Sequence, residues 1–560
     1  MQKDILKKKR FFVPEDMQID SWEVIAPLFQ SLLNESLNSE QEIKAWQEKV
    51  RELKAVLHQE KTVRYIEMTC HVDDPGRLGR YQDFISKMEP RYKTGFQQLN
   101  MKLQASCGEA RFHQQVQSSK ATQQKMLALK SEENELKSAY QQIVGSLNLQ
   151  YKGQNFTLQQ ASRFSGGGDR ETRKTIWELQ SQQWLGVADK IEDIFTRLIQ
   201  VRTQLAVQAG FSNYMEYVFH AYKRVDYRPE DCVSFHRLSA GHVVPLLKKM
   251  QAENRKKLDL KVLRPFDLGC DEDGSALRPF ADTDELLKKM QQLFFELDSR
   301  FGIWFQQIVQ HDLLDLENRK GKAPGSYCVH LEESKLPFIF MNATGSNQDV
   351  ITLLHESGHA FHYLAMVAAN EQKIPPREMS ELAAIGMEVM GTDFLNIFYS
   401  SAEDVRRARK KYFQQQLLYL TGIATIDAFA HWVYTHKDHS VRERRDCWIK
   451  LSNIYQGDVD YFEYQNILET GYHQVSLFFE DPFYFIEYAF ARIGSFQLLC
   501  NFQKDKCSCI NDYLYSLSLG GRISLPELYQ AAGVKFGFEE GNFFTSLANL
   551  EQEFQKINYN

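Results

Sequence analysis

The sequence predicts an all-α fold with one small β-hairpin, and three observations carry that reading. Helix breakers are scarce: 14 prolines and 30 glycines in 560 residues fall below the typical ~5% and ~7%. That favours long helices over many short strands. Long stretches place apolar residues at three- and four-residue steps between charges, as amphipathic helices do. Only the region around 326–341 carries short β-prone runs. The composition, 43% hydrophobic and 25% charged, is globular and excludes a disordered chain. A net charge of −6 disfavours binding to a phosphate backbone, so no nucleic-acid partner is expected. No run of about 18 apolar residues occurs, so no membrane span is expected. Nine cysteines without a repeated spacing point to a reduced, cytoplasmic protein.

Taken in order, Lys7-Lys8-Lys9-Arg10 reads as a solvated tail. Asn38–Leu57 and Ser118–Ile143 read as amphipathic helices. Ser165-Gly166-Gly167-Gly168-Asp169 is a flexible joint, and it divides the chain into regions 1–165 and 166–560. Asp169 caps the next helix, which runs through Trp177, Leu179 and Trp184 towards Leu205. Residues 208–320 are again helical, with a looser part at Leu263–Asp282 that holds Pro265, Gly269, Gly274 and Pro279. A helix resumes over Asp282–Phe301. Ser326–Leu331 and Phe338–Met341 form the hairpin across Glu332–Pro337. Asn342–Gln348 is a polar loop, and Asp349 starts a helix that reaches Ala369.

That helix contains His355-Glu356-Ser357-Gly358-His359. Residues at i and i+4 share a helical face, so the two imidazoles can bind one metal ion. Zinc suits neutral nitrogen donors. Glu356 is turned away from the second histidine but can reach a water on the metal. The helix is apolar nearly all round, and polar groups buried there need partners. Ala365 and His362 stand where a longer HExxHxxGxxH motif needs His and Gly, so that class is excluded. His362 lies on the metal face as a supporting residue. Pro375-Pro376 starts a new helix in which Glu381 and Glu388, seven apart, share one face among apolar and small residues. Glu381 is assigned as the third ligand and Glu388 as the carboxylate that orients a ligand imidazole. Glu371 and Glu378 sit among polar neighbours and read as solvated. Three protein ligands leave one position for water, whose pKa zinc lowers to ~7. Glu356 then takes the water's proton and passes it to a leaving amine.

With these motifs in hand, the chain resembles the oligoendopeptidase F branch of the thimet-oligopeptidase-like zinc metallopeptidases. Pro337–Asn342, Thr344-Gly345 and His355–Phe361 look like the family's active-site helix and its approach. Glu381 through Met387-Glu388 is similar to its third-ligand helix. Gly325-Ser326-Tyr327-Cys328 resembles its substrate-contacting segment. Pro482–Tyr488, with Ala491, Ile493-Gly494 and Gln497, resembles its tyrosine-rich segment, and Gly520-Gly521 with Ser524–Leu528 its tail. The resemblance implies a two-lobed helical shell around a deep channel, with 1–165 forming part of the wall and 166–560 the catalytic region. It implies one zinc ion per chain and cleavage of short oligopeptides. It also implies substrate contacts at Gly325, Ser326 and Tyr327, and hydroxyls from Tyr484 and Tyr488 near the scissile carbonyl. Members commonly carry a histidine five residues before the Pro of the Pro-Phe-Tyr segment. Leu477 stands there, and the nearest histidine is His473. Either His473 assists catalysis after a local shift, or activity is reduced or specialised. A peptide-binding relative with weak catalysis and a helical interaction protein with an accidental HExxH are the competing readings.

Overall fold

A computed structural model describes residues 9–106, 120–162, 164, 169–268 and 277–559. Residues 1–8, Ser118, the Ser165–Gly168 joint and the glycines Gly269 and Gly274 lie outside the described residues. Helices dominate, as the sequence predicts, and the strands form one two-stranded and one three-stranded sheet. No described helix is long and apolar enough to cross a membrane. The chain forms two compact units, each assembled from two stretches. One draws on Met1–Gln117 and Pro279–Gln372, the other on Ser118–Arg278 and Lys373–Asn560.

In the first unit, the helices Trp22–Asn34, Glu40–Cys70 and Glu89–Ser106 bury Ile25, Leu32, Trp46, Leu53, Val56 and Leu99 in one core. Arg10 corrects the tail reading. It is only 9% exposed, because its guanidinium pairs with Glu333 at 2.7 Å, which Gln59 also contacts at 3.2 Å. A buried charge persists only with such partners. The helix expected over Asp282–Phe301 is two helices, Thr283–Leu297 and Ser299–Gln310. Asp298 turns extended between them and caps the second by accepting from Arg300 N, the role that suits a short acidic side chain.

The hairpin forms, with Tyr327–Leu331 antiparallel to Leu336–Ala343. A third strand, Leu314–Glu317, runs parallel to Leu336–Ala343 on its other edge and escaped the sequence reading. The central strand is buried without alternation from Leu336 to Met341, so it reads as an apolar run rather than as a one-sided strand. It leads directly into the helix Asn347–Ala368.

The second unit is built on long helices, among them Lys120–Ser146, Arg170–Gln208, Ala402–Thr435 and Phe485–Lys504. Asp169 caps the second of these by accepting from Thr172 N at 2.8 Å. A short hairpin, Asn148–Tyr151 with Gln154–Thr157, was not expected.

Candidate metal centre and active site

The first unit positions the HExxH residues. Ser346, not Asp349, is the N-cap, and Asp349 closes a reciprocal capping box. Asp349 Oδ2 accepts from Ser346 N and Thr344 N, both at 2.8 Å. This anchors the helix start and so its rotational phase. Phe361 locks the far side against Phe294 at 4.9 Å and Phe301 at 5.0 Å between ring centroids. On the opposite face, the half-buried His355 and His359 rings lie 4.9 Å apart at 87°. Glu356 beside them is 4% exposed. Cys328 lies close enough that the Glu356 charge adds to burial in pushing its thiol up.

His362 is 3% exposed, with Nε2 lacking a hydrogen-bond partner. Burial, with His330 nearby, pushes its imidazole down to about 3. An unfolded histidine titrates near ~6.5, so the folded state binds fewer protons below that value. Stability present above pH ~6.5 is therefore lost as pH falls towards the folded value, by up to about 1.4 kcal/mol per pH unit. His362→Gln is expected to flatten the acid limb of a Tm-against-pH profile relative to the parent chain. Parallel limbs would remove His362 as the cause.

The expected substrate segment is shaped by Asn342, whose Nδ2 donates to the carbonyls of Ala323 at 2.9 Å and Gly325 at 3.0 Å. Gly325 has φ +93°, a conformation that favours glycine. Gly325 and Ser326 are exposed. Tyr327 is half-buried: its ring stacks on Phe340 at 4.6 Å and its hydroxyl lies 2.6 Å from Thr69 Oγ1.

The second unit carries the acidic helix, Arg377–Gly391, buried at nearly every position. It packs closely on Phe485–Lys504. A Cβ added at Gly386 would stand 3.1 Å from both Leu498 Cδ1 and Tyr513 Cε2, so the missing side chain is what admits these neighbours. Glu381, 3% exposed, accepts from the Tyr484 hydroxyl at 2.8 Å. Glu388, 4% exposed, accepts from Tyr412 at 3.1 Å. Tyr484 and Tyr488 pack edge to face at 5.3 Å. Burial first, and then the Glu381 charge, pushes both phenols far up, so both remain proton donors at neutral pH.

Glu378 corrects its solvated reading. It is 4% exposed and accepts from Tyr227 at 2.6 Å. Beside it, Arg224 donates to Glu487 and to the Phe483 carbonyl, each at 2.7 Å. The sequence reading missed this group. Its one legible signal is Glu487, an acid inside the apolar run Phe485–Phe490, the same signal that marked Glu381. His473 is 1% exposed, with Nε2 3.0 Å from Glu192 and its carbonyl accepting from Tyr140 at 2.9 Å. Burial pushes Glu192 up, but His473, Tyr472 and Arg444 outweigh it and hold the carboxyl below its ordinary range.

The sequence model of Peptidase family M3 matches residues 164–542. No curated protein sequence matches. Among solved structures, an inferred oligoendopeptidase F is 26% identical, over 99% of this chain and 98% of its own, with a TM-score of 0.85. PZ peptidase A with an inhibitor is 25% identical, over 98% and 99%, also at 0.85. An inferred oligoendopeptidase F from Bacillus anthracis str. Ames, 22% identical over 98% and 99% with a TM-score of 0.80, shares the fold. With its own family model matched over most of its length, the chain belongs to peptidase family M3.

Proposed function

We propose that this protein is a zinc-dependent endopeptidase of short oligopeptides, with His355, His359 and Glu381 as the ligands of one ion. The paired imidazoles of His355 and His359 beside the buried Glu356 are the observation that carries the reading. Two imidazoles and a carboxylate fit a catalytic zinc, which keeps its fourth position open. When bound, zinc supplies Lewis acidity that acidifies a water and polarises a carbonyl.

The chain's own residues do the rest. Glu356 accepts the proton of the attacking water and returns it to the leaving amine. Tyr484 and Tyr488, kept protonated, donate to the carbonyl oxygen as it gains charge. Glu388 orients a ligand imidazole, with Tyr412 fixing its carboxylate. Gly325, Ser326 and Tyr327 run beside the substrate. His473 pairs with Glu192, and we assign stabilisation of the carbonyl oxygen to the two tyrosines. The cysteines described, such as Cys70, Cys232 and Cys509, are free, in keeping with a cytoplasmic location.

Metal removal tests the reading. A chelator is expected to abolish cleavage of short peptides, and added zinc to restore it. A zinc-loaded chain that cuts nothing in a diverse peptide library would overturn the assignment in favour of a peptide-binding relative.

A further inference from the structure

A second group of ligand-type side chains lies wholly within the second unit, on helices that the proposed chemistry does not use. Cys232 and His236 stand four residues apart on the helix Pro229–Leu238, and Asp427 and His431 four apart on Ala402–Thr435. Each pair therefore shares one helical face. Donor atoms of Cys232, Asp427 and His431 all lie within 4.8 Å of one another. His236 Nε2 is 2.8 Å from Asp427 Oδ2. Cys232 is 0% and Asp427 1% exposed, and the His431 side chain 12%.

Two atoms here lack hydrogen bonds, Asp427 Oδ1 and His431 Nε2. The latter lies 3.3 Å from Asp427 Oδ2 without the alignment of a hydrogen bond. Leaving a buried polar atom unsatisfied is costly, and two side by side call for an explanation.

We propose that Cys232, Asp427 and His431 bind a second zinc ion that serves structure rather than hydrolysis, with His236 holding Asp427 in its ligating orientation. A thiolate and a carboxylate balance the charge of a divalent cation. Sulfur and imidazole donors select zinc over magnesium or calcium. Tetrahedral zinc places such donors roughly 3.3–3.6 Å apart, so closure by about an ångström completes the set. Binding takes Cys232 as thiolate and releases its proton to solvent. A hydrogen-bonded partner behind a ligating carboxylate is the usual support of such a site. The ion sits behind the tyrosine segment: the His431 ring packs edge-on to Phe483 at 5.6 Å, and Phe483 precedes Tyr484. It would stiffen the base on which the Tyr484 hydroxyl is aimed.

The test uses the full chain carrying His355→Ala and His359→Ala, loaded with cobalt(II). One cobalt per chain is expected to remain, with a near-ultraviolet thiolate-to-cobalt charge-transfer band. The HExxH residues carry no sulfur, and the Cys232→Ser arm separates the band from the nearby Cys328. Adding Cys232→Ser should abolish the band, and His431→Asn the tight binding. His236→Gln should weaken binding about 10–100-fold, as loss of a supporting partner does. Absence of the band in the parent of this series, or its survival in Cys232→Ser, would reduce the cluster to an ion-paired core and overturn the proposal.

Discussion

Glu356→Gln is expected to retain zinc and to lose roughly 10²–10⁴-fold in kcat, with little change in KM. The substitution keeps shape and removes only the basic oxygen. Glu356 is 4% exposed, next to His355, on a helix whose phase is anchored by the Ser346–Asp349 box. Gln cannot accept the water's proton or deliver it to the amine, so both halves of the transfer suffer. Substrate affinity depends on other groups, which is why the loss belongs in kcat. Zinc content by elemental analysis and kcat at saturating peptide check it together. Unchanged kcat would take Glu356 out of the chemistry, and loss of zinc would make it a metal-site residue instead.

The parts of this protein that the sequence reveals are those encoded within one helix. His355, Glu356 and His359 are readable because a four-residue step fixes their common face. Glu381 and Glu388 stand out because an acid in an apolar helix needs a reason. Asp169 is readable as a cap because capping is local. What escaped depends on distant partners. Glu378 looked solvated from its neighbours in sequence, yet Tyr227, 151 residues away, buries it. Arg10 looked like tail until Glu333, 323 residues on, claimed it. The partner of His473, Glu192, lies 281 residues upstream and leaves no local trace either. The strand Leu314–Glu317 has only four residues, too few for alternation to show.

Arg224→Met is expected to cost about 3–5 kcal/mol of stability at pH 9, because there it strands buried carboxylates rather than merely deleting an ion pair. The Arg224 and Glu487 side chains are 2% and 1% exposed, and Glu378 lies 3.9 Å from Arg224 Nε. Burial pushes the Glu487 carboxyl up to about 8, against the opposing pull of Arg224. A carboxyl raised in the folded state contributes stability below its unfolded value near ~4.3, and that contribution is lost as pH rises through about 8. Removing the cation raises Glu487 further, so the variant should lose more at pH 9 than at pH 5. Catalysis should fall as well. Phe483 has φ +72°, a strained conformation for a bulky residue, and Arg224 holds its carbonyl at 2.7 Å. Release of that carbonyl frees the next residue, Tyr484, from its aim. Glu487→Gln in the same chain should recover much of the stability, since no charge is then left unpaired there, but not the hold on Phe483. A denaturation series at the two pH values, with kcat for both variants, separates the two roles. Equal losses at pH 5 and pH 9 would show that the stranded carboxylate is not what Arg224 relieves.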